Sequence, residues 1–173
     1  MIPPLPWLER RFTMDLPPAL LPAVLERLRG TPARAAGLVA GASDEALRAR
    51  HGGWSAQEHI GHLDDLHELD ETRLAEFLDG RPVLSAADME NRRTHGAAHN
   101  AEAIAGLLER LRRRRAGLLE RLDALTVEQA GITARHLRLG RPVKLVDWAF
   151  FVAEHDDHHL AQARYALRGA SGL

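Results

Sequence analysis

The sequence predicts an all-α protein, a four-helix bundle, and three observations carry that reading. Leu and Ala dominate the apolar residues while β-branched residues are sparse. No stretch alternates apolar and polar residues long enough to make a convincing strand, and several long segments keep their apolar positions at helical spacing. Sites in such bundles are built from side chains on facing helices.

Each element has its own signals. A proline-punctuated arm covers residues 1–14 of what reads as one domain over 1–173. A first helix spans about Leu21 to Arg29, with Pro22 tolerable in its first turn; after Gly30, Thr31-Pro32 restarts it as an N-cap and N1 through about Val39, giving a broken first helix. Ser55 and Glu58 have capping-box spacing and open a second helix to about Asp79, which Gly80 and Pro82 stop. Val83 to His99 has weak periodicity and reads as a long loop between helices two and three, with at most a short helix. Asn100 is a candidate cap for a third helix through about Leu125, on which Ile104, Leu107, Leu108, Leu111, Leu118 and Leu122 keep helical spacing. Thr126 and Gln129 form another capping box for a single turn, Gly131 to Pro142 reads as loop, and the last helix runs from about Val143 to Arg168.

Composition narrows the function. The chain has 173 residues, 45% apolar and 27% charged, enough for a sizeable core. With 23 Lys+Arg against 24 Asp+Glu the formal net charge is −1, so no bulk positive field draws it to nucleic acid or anionic membrane, and neither partner is expected. The arginine run Arg110 to Arg115 wraps around a helix beside Glu109 and Glu120 and reads as a solvated, salt-bridged face. There is no cysteine, which excludes disulfides and any thiol nucleophile or thiolate ligand of the chain's own. No apolar run approaches the roughly 20 residues of a membrane span, and prolines and charges interrupt the N-terminus before a signal core could form. A soluble, cytoplasmic protein is expected.

Histidine is plentiful, at ten residues, and six lie in two of the predicted helices: His59, His62 and His67 in the second, His155, His158 and His159 in the last. At 3.6 residues per turn, His155 and His159 are about 40° apart, inside the apolar stripe of Trp148, Phe151, Val152 and Ala163. An i, i+4 histidine pair presents two imidazoles to one metal ion, and the second helix can supply a third. There the apolar stripe favours His59 slightly, with His62 at one margin and His67 at the other. His51, His95, His99 and His136 read as loop residues.

The strings Trp54-Ser55-Ala56-Gln57-Glu58, Gly61-His62-Leu63 and Glu154-His155-Asp156-Asp157-His158-His159-Leu160-Ala161-Gln162 resemble the two signature regions of the DinB/YfiT-like superfamily. The similarity extends to Trp7-Leu8-Glu9-Arg10-Arg11-Phe12 and to Asn91-Arg92-Arg93-Thr94-His95. The resemblance implies a four-helix bundle with one divalent metal held by His62, His155 and His159, leaving His59 as the other candidate ligand. It implies zinc first, with nickel, iron or manganese as alternatives, and a homodimer. Asp156 could orient an imidazole, and Gln162 could contact a ligand. Trp54 reads as a staple at the helix entrance.

Three neutral imidazoles leave the charge of a dication uncompensated and at least one coordination position open, as in catalytic zinc sites. The resemblance therefore implies an S-transferase that activates a low-molecular-weight thiol, of the bacillithiol or mycothiol kind, against an electrophilic small molecule. Two alternatives stay open: a non-catalytic metal-binding stress-response protein, and a metal-dependent hydrolase that uses water.

Overall fold

The computed structural model describes residues 2–170, and its elements follow the predicted order. Helix α1 (Leu21–Val39) carries Pro22 in its first turn, where the absent N–H would have no partner in any case. Gly30 and Pro32 lie inside this single element. The expected break is confined to Pro32, which has no N–H to offer the carbonyl four residues back. Ser43 then caps the short α2 (Asp44–Arg48), accepting the Ala46 N–H at 3.2 Å.

The Ser55 capping box is formed: Ser55 Oγ accepts the Glu58 N–H at 3.1 Å, and Glu58 Oε2 accepts the Ser55 N–H at 2.9 Å. Helix α3 (Ala56–Asp65) thus begins where the sequence places it. The sequence reads on as one helix to Asp79, but the chain turns at Leu66, whose N–H reaches the His62 carbonyl at 3.3 Å, and resumes as α4 (His67–Leu78). The following connection contains α5 (Arg92–Gly96). Asn100 does not cap the third helix. Its Oδ1 accepts the Ser55 hydroxyl at 2.8 Å, tying this connection to the start of α3, and α6 (Ile104–Asp123) begins after Ala103. The Thr126–Gln129 box opens α7 (Val127–Ala130).

The segment 131–142, read from sequence as loop, instead contains most of an antiparallel hairpin, β1 (Thr133–His136) with β2 (Arg141–Lys144). Its register sets Thr133 opposite Lys144 and His136 opposite Arg141. Gly140, at φ 68°, supplies the left-handed residue the turn requires. Strands of four residues are too short to establish an alternating pattern, which is why periodicity passed over them. The Arg135 backbone also bonds to Pro82 and Leu84, stitching the chain after α4 to the hairpin. Because Val143 and Lys144 pair in β2, α8 (Leu145–Ala170) starts two residues later than periodicity suggests.

Helices α1 and α3 each pack against both α6 and α8, so the first two long helices of the chain stand diagonally across the bundle. The core between them holds Trp148, Phe77, Leu28, Leu74, Leu107 and Leu118, all 2% exposed or less. Burying each such side chain contributes about 1.5–3 kcal/mol. Among the described residues no helix is long and apolar enough to cross a membrane.

Candidate metal centre

The packing of α3 on α8 decides which histidines meet. His62 projects from α3, and His155 and His159 project from successive turns of α8; one ring nitrogen from each lies within 4.8 Å of the other two. The Nε2 atoms of His155 and His159 are 3.1 Å apart. Two nitrogens bound to one tetrahedral zinc at about 2.0–2.1 Å are separated by roughly 3.3 Å, so the pair needs little adjustment to share an ion. The donor set therefore fits a divalent cation.

Neighbouring groups orient two of these rings. Thr94, presented by α5, places Oγ1 2.8 Å from His62 Nδ1, which leaves His62 Nε2 for a ligand position. His59 faces its Nδ1 to that of His159 at 3.0 Å, which leaves His159 Nε2 pointing toward His155. Burial, first of all, depresses the pKa of these rings: His59 and His62 fall to about 4, and His155 and His159 fall well below the usual imidazole value. All four are neutral near pH 7, the form that binds metal.

Gly61 explains the close approach behind the site. A Cβ there would lie 2.3 Å from Cγ of His99, so only glycine lets that ring lie against α3. His99 Nε2 in turn bonds Asp65 Oδ2 at 2.8 Å. Of the four histidines that read as loop residues, His99 and His136 are buried, at 3% and 1% exposure, while His51 and His95 are exposed.

Other sequence candidates land differently. Asp156 is buried, but its carboxylate accepts from Thr31 Oγ1 at 2.7 Å and from Arg115 Nη2 at 3.0 Å, so it ties α8 to α1 and α6 and does not bond an imidazole. Gln162 is half-buried one turn beyond His159 and does not line the adjoining cavity. Trp54 does more than staple the helix: its ring lies 4.9 Å from that of His62 and stacks on His159 at 5.9 Å and 26°. Trp7, from the N-terminal arm, sets its edge against His155 at 4.8 Å. The arginine run is largely the salt-bridged face expected, with Arg110 bonded to Asp64 and Glu102 and Arg112 to Glu109, but Arg115 turns inward.

The three histidines open onto a cavity of about 290 Å³, near the lower limit for small-molecule sites. Trp7, Trp54, Asp70, His136 and Arg138 are among its walls. Asp70 is 6% exposed, and among the described residues its carboxylate makes no hydrogen bond or ion pair, though the charges of Arg115 and Arg73 act on it. Burial raises its carboxyl to about 7. Sequence reasoning missed Asp70, Thr94, His136 and Arg138 as site residues, because each reaches the site through a kink, a connection or the hairpin, where no helical period marks an inward face.

A helical bundle that gathers three neutral imidazoles beside a small cavity is a candidate metalloenzyme scaffold. The chain belongs to the DinB superfamily, whose family model matches residues 27–163. It is similar to the solved structure of YfiT from Bacillus subtilis, with a TM-score of 0.81, 20% identity and 94% of each chain covered; that protein is described as a probable metal-dependent hydrolase with an unusual four-helix bundle topology. At this identity the likeness shows the fold. No curated protein matches the chain significantly.

Proposed function

We propose that the protein is a metal-dependent enzyme in which His62, His155 and His159 hold one divalent cation, zinc first among the candidates, and a small thiol is activated for transfer to an electrophilic small molecule in the adjoining cavity. One observation carries this reading: three imidazoles from two helices converge at the wall of a cavity sized for a small molecule. A divalent cation held there supplies Lewis-acid charge that lowers the pKa of a bound protic nucleophile. The rest of the chemistry falls to the chain. Thr94 and His59 hold the ligand rings in one orientation. Trp7 and Trp54 cover the histidines and restrict water. Asp70, a cavity carboxyl with no hydrogen bond to its side chain among the described residues, accepts the proton released by the nucleophile and returns it to the leaving group. The absence of cysteine means that any sulfur nucleophile comes from outside the chain.

A second reading has water as the nucleophile. The description of YfiT as a probable metal-dependent hydrolase favours it. The two part in one experiment: turnover of a panel of alkyl halides, epoxides, esters and amides with bacillithiol, with mycothiol and without thiol, each in metal-loaded and chelated protein. Metal-dependent turnover that requires thiol is the expected result. Metal-dependent turnover in thiol-free buffer selects the hydrolase, and turnover unaffected by chelation in every case overturns both.

A further inference from the structure

The hairpin side of the cavity carries two hydrogen-bond donors with no acceptor. The first is Nη1 of Arg138. Its guanidinium lies 4.5 Å from the Trp7 ring centre and 5.1 Å from that of Phe151, and its Nη2 donates to the Trp7 carbonyl at 2.8 Å, so the head is clamped. Among the described residues no carboxylate pairs with it. The acid serving the neighbouring Arg10 is Glu154, which is also bonded to Arg27. The second donor is Nε2 of His136, a ring 1% exposed. His136 Nδ1 accepts the Leu139 N–H at 3.4 Å, so in the neutral ring the hydrogen sits on Nε2.

Arg138 is half-buried with its Nη1 covered and no counter-charge beside it, and the His136 N–H is buried without an acceptor; both are unfavourable, and folded chains ordinarily give such groups a partner. Arg138 and His136 sit two residues apart on the hairpin and line the same cavity as His62, His155 and His159. The other charges on its walls do not supply the partner. Asp156 is engaged by Arg115 and Thr31, Arg73 donates to the Ser85 carbonyl at 2.8 Å, and Asp70 makes no bond to either residue. The unmatched charge on this wall is positive.

We infer that Arg138 Nη1 and His136 Nε2 form a subsite for the oxyanion of a small substrate, a carboxylate or a phosphate, whose remaining atoms extend toward the three histidines. The inference names a substrate class for the reaction proposed above and rests on that reading only for the chemistry that follows binding. Both nitrogens are covered and unpartnered, so an anion reaches them as the Arg138 head shifts, and the indole of Trp7 that it covers reports the shift.

The test titrates acetate and inorganic phosphate, with chloride at matched ionic strength as control, into the full-length protein as purified and after chelation, following heat and tryptophan fluorescence. Saturable binding of at least one oxyanion in both states is expected, weakened about tenfold or more by Arg138→Gln and less by His136→Gln. Which anion binds more tightly identifies the substrate's acidic group. If Arg138→Gln does not fold, Arg138→Lys keeps the charge and the stem but loses the planar donor pair, and a reduced affinity is again expected. No saturable binding, or equal binding by a folded Arg138 variant, overturns the inference. Binding that vanishes on chelation also overturns it, since the anion is then held by the metal. A chain that binds no metal but still binds the anion through Arg138 removes the catalytic reading and leaves the subsite standing.

Discussion

The Nδ1 atoms of His59 and His159 face each other at 3.0 Å, which gives the two rings different tasks although both approach one cluster. In two neutral imidazoles one of these nitrogens donates and the other accepts. With His159 donating, its Nε2 lone pair is directed toward His155, and His59 acts as the group that fixes the ring. The contact arises because α3 and α8 pack together with His59 one helical turn before His62.

Metal content separates ligands from the residues that orient them. His62→Ala, His155→Ala and His159→Ala are each expected to lose most bound metal when tag-free protein is analysed by mass spectrometry for metals. Full metal content in His62→Ala and His155→Ala would show the ligand set to be wrong.

Thr94→Val and His59→Ala should keep the site while weakening it. Loss of an outer partner of this kind lowers metal affinity about 10–100-fold. Competition with a chromophoric chelator measures the change, and unaltered affinity in both variants would mean that the two contacts do not orient the rings.

Gly61→Ala should be destabilising even though alanine favours helix. Its Cβ would meet His99 Cγ at 2.3 Å, and His99 cannot retreat without loosening its bond to Asp65. Overpacking of this kind costs about 1–3 kcal/mol. Urea unfolding checks it, and an unchanged midpoint would mean that the ring moves freely.

Acid should destabilise the metal-free protein below neutrality. Burial holds His59, His62, His136 and His158 at about 4 in the folded chain, against about 6.5 when unfolded. Between those values the unfolded chain binds more protons, so this contribution is fully present above pH 6.5 and is lost as pH falls toward 4. His99 has the opposite sign: burial opposes its charge, but the bond to Asp65 outweighs this and raises its pKa, so its contribution is lost as pH rises. Stability should therefore peak near neutrality, and denaturant midpoints equal at pH 7 and pH 5 would contradict this.

Asp70→Asn tests the proton acceptor. With Asp70 raised to about 7 by burial, the rate should rise with pH through that region in the unaltered enzyme. The variant should lose that limb and about 10²–10⁴ of its rate, with metal content unchanged. A surviving limb at the same pH would assign the proton to another group.

The amino-acid sequence by itself determined the helical class, the order of the long helices and the pair of histidines on α8. These are local properties: the Ser55–Glu58 box lies within one turn, and the 40° offset of His155 and His159 follows from the helical repeat. The choice between His59 and His62 needed more than an apolar stripe, because an uncertainty of one residue rotates a helix by about 100°. Signature resemblance pointed to His62, and the packed helices bring its ring to the other two. Tertiary structure alone decided the rest. Asp156, read as a partner for an imidazole, is taken by Thr31 and Arg115 from two other helices. Thr94 reaches the centre from α5, while His136 and Arg138 reach its cavity from the hairpin and Asp70 from beyond the turn at Leu66. Such positions depend on contacts between residues distant in the chain, whose energies appear only once the helices have docked, and no short-range pattern along the sequence records them.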